Sequence, residues 1–132
     1  MNIRIELSNG ILELGPILSK AVVWKENTEL KQLNASLPKG EAEWRRPTKD
    51  EFGEIGEPIR RIWAKARTCQ EKMDEINKYL EGLGLPWNSN LWSDAEFEHI
   101  IDYAWYFNTY LGAMCVTSKA GKTFVLCVRS TS

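Results

Sequence analysis

A helix start near the middle of the chain is the feature that most constrains the fold. The segment reads Trp44-Arg45-Arg46-Pro47-Thr48-Lys49-Asp50-Glu51-Phe52. Pro47 has a fixed φ and keeps the residue before it out of the helical region. Thr48 and Glu51 have the spacing of a capping box, in which the Thr hydroxyl and the Glu carboxylate each accept a backbone N–H of the other residue. The spacing predicts a helix that begins here, and Gly53 and Gly56 predict that it is short.

Two strands and a helix are predicted upstream of this point. Apolar residues alternate over 2–7, which indicates a strand with one buried face. Asn9-Gly10 favours a tight hairpin, and residues 11–14 supply its second strand. Apolar residues at helical spacing then predict a helix over 18–33, and the turn residues at 38–40 end it.

The most regular helical pattern covers residues 58–81. Apolar residues recur there at steps of three and four, as on one face of a helix. Pro58 stands where the first helical turn tolerates proline, and Gly82, Gly84 and Pro86 indicate the end of the helix. The pattern predicts one long helix over 58–81, whose outer face is a candidate contact surface.

The chain after residue 86 carries strand and loop patterns. Its last turn is marked by Lys119-Ala120-Gly121, with Gly at the flexible position of a hairpin loop. The predicted elements are a strand over 91–93, an acidic loop over 94–102, a strand over 103–110, and a hairpin of 113–118 with 122–129. The predicted fold class is therefore α+β in a single domain over 1–132, with N-terminal strands, two or three helices and a twisted antiparallel C-terminal sheet.

Composition and charge argue against two classes of partner, nucleic acids and membranes. Lys plus Arg number 17 against 18 for Asp plus Glu, so the net charge is -1 and no strong field attracts nucleic acid. No stretch is apolar enough to span a membrane, so no membrane partner is expected. The N-terminus lacks a basic start followed by an apolar run, so no signal peptide is predicted and a cytoplasmic or phage-particle location is favoured over secretion. Cys69, Cys115 and Cys127 lack metal-ligand spacing, which indicates free thiols and no cofactor.

Four short motifs occur in a fixed order along the chain: Trp-Arg-x-Pro-Thr, Trp-Ser, Ala-Trp-Tyr and Cys-Val-Arg. Together, over residues 44–129, they resemble the Fibrobacter succinogenes major paralogous domain, a C-type-lectin-like family. The matching residues are Trp44, Arg45, Pro47, Thr48, Glu51, Trp92, Ser93, Ala104, Trp105, Tyr106, Cys127, Val128 and Arg129. Arg46 and Asp94 depart from the family's pattern, which has an aliphatic residue and a serine there. The resemblance implies a C-type-lectin-like fold whose C-terminal region presents the ligand face.

A candidate ligand-binding surface lies along the strand over 103–110 and the Asn-rich loop before it. If Trp105 and Phe107 point into the core, the alternate residues of this strand point outward. Tyr and Asn combine rigid contact area with adaptable hydrogen bonding. The predicted contact residues are Trp87, Asn88, Asn90, Tyr103, Tyr106, Asn108 and Tyr110. These residues favour a non-catalytic module that binds a protein or a glycan, while packing of the tyrosines on the sheet edge or the long helix is the structural alternative.

Two other functions stay open at this point. A structural or assembly subunit, for example of a phage particle, would contact its partners through the helix over 58–81. A metal- or cysteine-dependent enzyme related to formylglycine-generating enzymes would use Cys115 and Cys127, which the predicted hairpin places on opposite arms. The first hypothesis depends on the predicted helix over 58–81, and the second depends on the predicted C-terminal hairpin. Trp44 and Trp105 are expected in the core.

The acidic loop offers two further sites. Ser93, Asp94 and His99 have the residue types of a hydrolase, but they lack the Gly-x-Ser-x-Gly turn that exposes the serine in one large hydrolase class. The carboxylates over 94–102 are ligands that calcium prefers, and a solvated acidic face is the alternative.

Overall fold

The computed structural model describes residues 2–131 and confirms the α+β class. Helices occupy the middle of the chain, and strands occupy both ends. In chain order the elements are β1 (Ile3–Leu7), β2 (Gly10–Ile17), α1 (Thr28–Ala35), α2 (Lys49–Trp63), α3 (Cys69–Leu83), β3 (Asn90–Glu96), β4 (Tyr103–Asn108), β5 (Ala113–Ser118) and β6 (Leu126–Thr131).

The strands form two antiparallel sheets. One sheet has the order β1-β2-β6, so the first and last strands of the described chain belong to the same sheet. The other has the order β3-β4-β5. The predicted hairpin at Asn9-Gly10 is confirmed, since Leu7 pairs with Gly10 across the turn. Gly10 has φ +136°, a conformation that side chains other than glycine rarely adopt.

The predicted C-terminal hairpin is wrong. β5 pairs with β4, whereas β6 pairs with β2 in the other sheet. Gly121 does make a turn, since its N–H donates to the Ser118 carbonyl at 3.0 Å. The chain beyond the turn bonds elsewhere: Thr123 exchanges two backbone hydrogen bonds with Val22, at 2.9 and 3.0 Å. A turn signal shows that the chain reverses, but it does not determine which strand accepts the next segment.

The predicted long helix over 58–81 is also wrong, because two helices cover this region. α2 begins at the capping box, as predicted, but it runs through both glycines and through Pro58 to Trp63. Pro58 removes one backbone donor from the helix. The helix persists because one face buries Phe52, Ile55, Ile59 and Ile62. A new helix, α3, begins after Thr68, whose side chain accepts from the N–H of Glu71 at 3.2 Å.

The helix predicted over 18–33 is restricted to α1. Residues 18–27 instead bond to the segment before β6, since the Leu18 N–H donates to the Val125 carbonyl at 2.9 Å. A further backbone bond joins the same two segments, since the Trp24 N–H donates to the Lys119 carbonyl at 3.0 Å. These backbone bonds cannot form in a helix, so tertiary pairing outweighs the helical pattern here.

The capping box at the start of α2 is confirmed. The Thr48 hydroxyl accepts from the Glu51 N–H at 3.1 Å, and the Glu51 carboxylate accepts from the Thr48 N–H at 2.8 Å. Arg45 donates to both carboxylate oxygens of Glu51, at 2.7 and 2.8 Å. The backbone of Arg45 also pairs with Val128 of β6. The helix start is therefore attached directly to the first sheet.

Two hydrophobic clusters hold these layers together. The larger one lies between α2, α3 and the strands, and the Phe52 and Phe107 rings stack in it with centroids 4.7 Å apart. The smaller one contains Trp44, Trp92, Ala104, Val125 and Cys127 among its buried residues. Trp44 is 6% exposed, as expected. Trp105 is only half-buried, against expectation. The Lys49 ammonium lies 4.0 Å from its ring centroid, and the Phe97 ring packs edge-on against it with centroids 5.5 Å apart.

Candidate functional site

The second sheet presents one face that is covered by α2 and one that is partly open. Phe107 points towards α2, where it stacks on Phe52. Side chains alternate along a strand, so Tyr106 and Asn108 lie on the opposite face. The register places Asn90 on that same face, directly opposite Asn108. We call the accessible part of this side the asparagine–tyrosine face, and it consists of Asn90, Tyr106 and Asn108 with Cys115 and Thr117 of β5. Trp92 and Ala104 lie on the same side of the sheet, but both are fully buried in the smaller cluster.

The two asparagines form an oriented pair. The Asn108 amide nitrogen donates to the Asn90 side-chain oxygen at 2.7 Å. The Asn108 side-chain oxygen accepts from the N–H of Leu111 at 2.9 Å, so the turn after β4 fixes the amide of Asn108. Within residues 2–131, the amide nitrogen of Asn90 donates to no protein acceptor, and the Asn90 side chain is exposed. An amide held in this way directs two donors towards solvent.

Tyr106 occupies the centre of this face. It lies between Trp92 of β3 and Cys115 of β5 in the register of the sheet. Trp92 is fully buried, and its indole N–H donates to the Val22 carbonyl at 2.7 Å. Tyr106 is half-buried against this cluster. Burial raises the pKa of Tyr106, and the adjacent Cys115 thiol raises it further, so the phenol stays neutral.

Trp87 and Tyr110 pack together at the end of the same sheet. Their rings meet edge to face with centroids 4.8 Å apart. Trp63, at the end of α2, contacts Tyr110 from another side and donates its indole N–H to the Tyr110 carbonyl at 2.8 Å. Tyr110 is therefore a packed residue rather than a free outward side chain. Asn88 is exposed between Trp87 and Asn90, with φ +50°.

Tyr103 is separated from the other predicted contact residues. It begins β4, whereas Asn108 ends it, and the alternation places Tyr103 on the α2 side of the sheet. It is exposed near Ile101, which is 80% exposed. The structure thus brings Asn90, Tyr106 and Asn108 to one face, brings Trp87, Asn88 and Tyr110 to its end, and leaves Tyr103 outside the site.

Two parts of the site were not found from the sequence. Cys115 and Thr117 complete the face, but β5 was assigned to a hairpin with the wrong strand. A cleft of about 510 Å³ also lies beside the segment that carries Trp87 and Asn90. Its walls are mostly apolar and are formed by Ile17, Gly84, Leu85, Pro86, Ser89, Leu91 and Phe124. No single stretch of sequence indicates this cleft, because its walls come from several distant segments.

The residues of the hydrolase hypothesis do not form a catalytic group. Ser93 is fully buried, and its hydroxyl donates to the Trp105 carbonyl at 2.8 Å and accepts from the N–H of Ala95 at 3.1 Å. His99 is exposed, and its Nε2 lies 3.7 Å from the Glu98 carboxylate. The serine is therefore occupied by structural bonds, and the histidine contacts a carboxylate in the surface turn.

The cysteines are not neighbours across a hairpin. Cys115 lies on β5 in the second sheet, while Cys127 lies on β6 in the first. Burial raises the pKa of Cys127 to about 12, so its thiol is protonated at neutral pH. Across residues 2–131, no group of three or more His, Cys, Asp or Glu side chains is arranged to hold a metal ion.

Comparison with known proteins gives no assignment. No model of a known protein family matches the chain, and a search of curated protein sequences found no match. Within the described part of the chain, none of the helices has the length and apolar character needed to cross a membrane.

Proposed function

We propose that this chain is a C-type-lectin-like, non-catalytic binding module that recognises a protein or a glycan through the asparagine–tyrosine face. The motif residues that carry the resemblance support the fold part of the proposal. Trp44, Trp92, Ala104 and Cys127 come from four separate motifs, yet all four pack in one buried cluster. Motif residues that define one fold are expected to pack together in its core. The packing of these four residues therefore supports the resemblance that their order along the chain indicates.

The asparagine pair is the observation that carries the binding part. Its amides are oriented by bonds to each other and to the turn, and the outer amide offers donors to solvent. Both peptide carbonyls and sugar hydroxyls accept such donors. Because the pair is already ordered, a ligand that bonds to it loses less conformational entropy in the protein.

Tyr106 supplies the apolar part of the contact. A tyrosine on a paired strand has few rotamers to lose, and it offers ring area together with a hydroxyl. The neutral phenol next to the asparagines gives a surface with donors, acceptors and an aromatic ring in one place. Such combinations are typical of contact residues in binding modules.

The two alternative functions have less support. The assembly reading depended on one continuous helix over 58–81, and the chain breaks that helix between Trp63 and Cys69. The enzyme reading depended on a pair of cysteines across a hairpin that does not exist. The proposal therefore contains no catalytic step and no resident metal.

Selection experiments with single-site variants test the proposal. The protein is screened against a glycan array and, in parallel, against a displayed random-peptide library, so that the two ligand classes are separated. In whichever arm selects ligands, Asn90→Ala and Tyr106→Ala are expected to weaken binding by roughly 1–3 kcal/mol, which is about 5- to 150-fold. Lys78→Ala, an exposed substitution on α3, is the matched control and leaves the affinity unchanged. Ligands that bind all variants equally, or no selected ligand in either arm, contradict the proposal.

A further inference from the structure

The edges of the two sheets are protected in different ways. Within residues 2–131, the outer edge of β6 is covered by Arg45, which exchanges two backbone hydrogen bonds with Val128, at 2.8 and 2.9 Å. The outer edge of β3 is covered by Phe124, whose carbonyl accepts from the Trp92 N–H at 2.9 Å. The edge strand β1 has no cover, but it carries exposed charges at Arg4 and Glu6. Cover and charge are two ways by which proteins prevent pairing at a sheet edge.

Within residues 2–131, no other strand pairs with the outer edge of β5. Its sequence is Ala-Met-Cys-Val-Thr-Ser, which contains no charged residue and no proline. All six residues are half-buried, and its register with β4 has no bulge. A cleft of about 860 Å³ lies against its first two residues, and the other walls of this cleft are α2 and the Ser8–Asn9 turn.

The backbone groups that face the open edge follow from the ladder. Lys119, directly after β5, donates its N–H to the Asp102 carbonyl at 2.8 Å. Bonded residues alternate along an antiparallel pair, so the odd-numbered residues of β5 also bond to β4. The N–H and C=O groups of Met114 and Val116 therefore point away from β4, towards the open edge. They are unused acceptors and donors on a strand that favours pairing.

We propose that β5 pairs antiparallel with β5 of a second copy of this chain, across a two-fold axis at Val116. In this arrangement the two Val116 residues form the central hydrogen-bonded pair. Met114 lies opposite Ser118 of the second copy, and Cys115 lies opposite Thr117 of the second copy. Each opposed pair is uncharged, so the strand is complementary to itself. Closed two-fold dimers are also the commonest symmetric assembly.

The pairing joins the β3-β4-β5 sheet of one copy to the same sheet of the second copy, which gives one continuous sheet of six strands. The asparagine–tyrosine faces of the two copies then lie on the same side, because strands of one sheet share their faces. A ligand with repeated epitopes engages both faces at once, and its second contact becomes intramolecular. The dimer does not depend on the proposed function, since it rests on the edge of β5 alone.

The oligomeric state and one charge substitution test the proposal. Sedimentation equilibrium of the wild-type protein over the micromolar range is expected to show a species of twice the 15.2 kDa chain mass. Val116→Lys places two ammonium groups opposite each other, and it is expected to raise the dissociation constant about tenfold or more. Val116→Ile keeps a β-branched apolar side chain and is the matched control. Circular dichroism and thermal unfolding at a concentration where the wild type is monomeric separate loss of pairing from loss of fold.

A cysteine substitution tests the register independently. Opposed residues of a non-hydrogen-bonded antiparallel pair have Cα atoms about 4.5 Å apart, within the range that a disulfide spans. With the exposed thiol of Cys69 removed by Cys69→Ser, Thr117→Cys is therefore expected to give a covalent dimer with diamide as oxidant, and the same variant with Cys115→Ser is expected to give none. A wild-type monomer throughout the range overturns the proposal. A dimer that Val116→Lys leaves intact and that Thr117→Cys does not crosslink overturns it as well.

Discussion

Trp44 and Trp105 show how residues of one type take different roles. Trp44 is 6% exposed and packs within the smaller cluster, while Trp105 is half-buried with the Lys49 ammonium 4.0 Å from its ring centroid. Trp44→Ala is expected to cost about 3–5 kcal/mol of unfolding free energy, because it leaves a cavity. Trp105→Ala is expected to cost less, about 1–2 kcal/mol, because it removes partial burial and a cation–π contact. Urea unfolding of both variants checks the order, and equal losses would contradict this assignment.

Arg46 is a buried arginine that binds backbone carbonyls. The side chain is 7% exposed, although arginine is rarely buried. Its guanidinium donates to the Trp24 carbonyl at 2.7 Å and to the Glu26 carbonyl at 3.0 Å. Burial lowers the pKa of Arg46, but an arginine stays charged. The buried charge of Arg46 therefore holds the segment before α1.

Glu51 couples stability to pH. Burial raises the pKa of Glu51, but the bonds from Arg45 and from the Thr48 N–H outweigh burial and lower it overall. A carboxyl with a lowered folded pKa stabilises the fold above its unfolded pKa of about 4.3, and this stability is lost as the pH falls through the folded value. Glu51→Gln keeps a capping-box residue but removes the charge.

Glu51→Gln is therefore expected to cost about 1–2 kcal/mol at pH 7 and progressively less below pH 4. Urea unfolding between pH 3 and pH 7, a range in which the group titrates, measures this difference. Glu57→Gln, at an exposed surface pair with Arg61, is the control and changes stability by less than about 0.5 kcal/mol. The same loss at both ends of the pH range would show that charge is not the cause.

Among the helices, α2 approaches the turn after β4 closely at Gly56 but not at Gly53. A Cβ on Gly56 would lie 2.2 Å from the Gly112 carbonyl oxygen, whereas a Cβ on Gly53 would have nothing within 4 Å. Gly56→Ala is thus expected to lower the melting temperature through a clash that costs about 1–3 kcal/mol. Gly53→Ala is expected to raise it, since alanine favours a helix by about 0.5–1 kcal/mol. A rise for both variants would mean that α2 does not approach the turn this closely.

The elements differ in how far local sequence determines them. The capping box and the first hairpin were predictable because their signals lie within a few neighbouring residues. The end of α2 was not, because burial of Ile59 and Ile62 keeps the helix intact through Gly53, Gly56 and Pro58. Two local helix-ending signals, Gly53 and Gly56, and the helix-start signal at Pro58 were therefore outweighed by packing against distant residues.

For the whole molecule, strand partners were the part that sequence could not predict. The alternation along β4 correctly separated Phe107 from Tyr106, because alternation is a property of one strand. The assignment of β6 to the sheet of β1 and β2 depends on backbone bonds between residues more than a hundred positions apart. The same difference applies to the candidate site, where residues of correctly predicted strands were found and residues of a wrongly paired strand were not. Asn90 and Asn108 were predicted together, while Cys115 and Thr117 were missed with their strand.

Site-specific photo-crosslinking tests the central claim, that ligand binds at the asparagine–tyrosine face, most directly. A benzophenone amino acid replaces Tyr106 in one variant and Arg61, whose side chain is 70% exposed on α2, in another. On irradiation in extracts of the source cells, the variant at Tyr106 is expected to give a discrete adduct. Excess unlabelled wild-type protein should compete the adduct away, whereas the Asn90→Ala variant should not. A competed adduct at Arg61 with none at Tyr106 would contradict the account and place the contact surface on the helices.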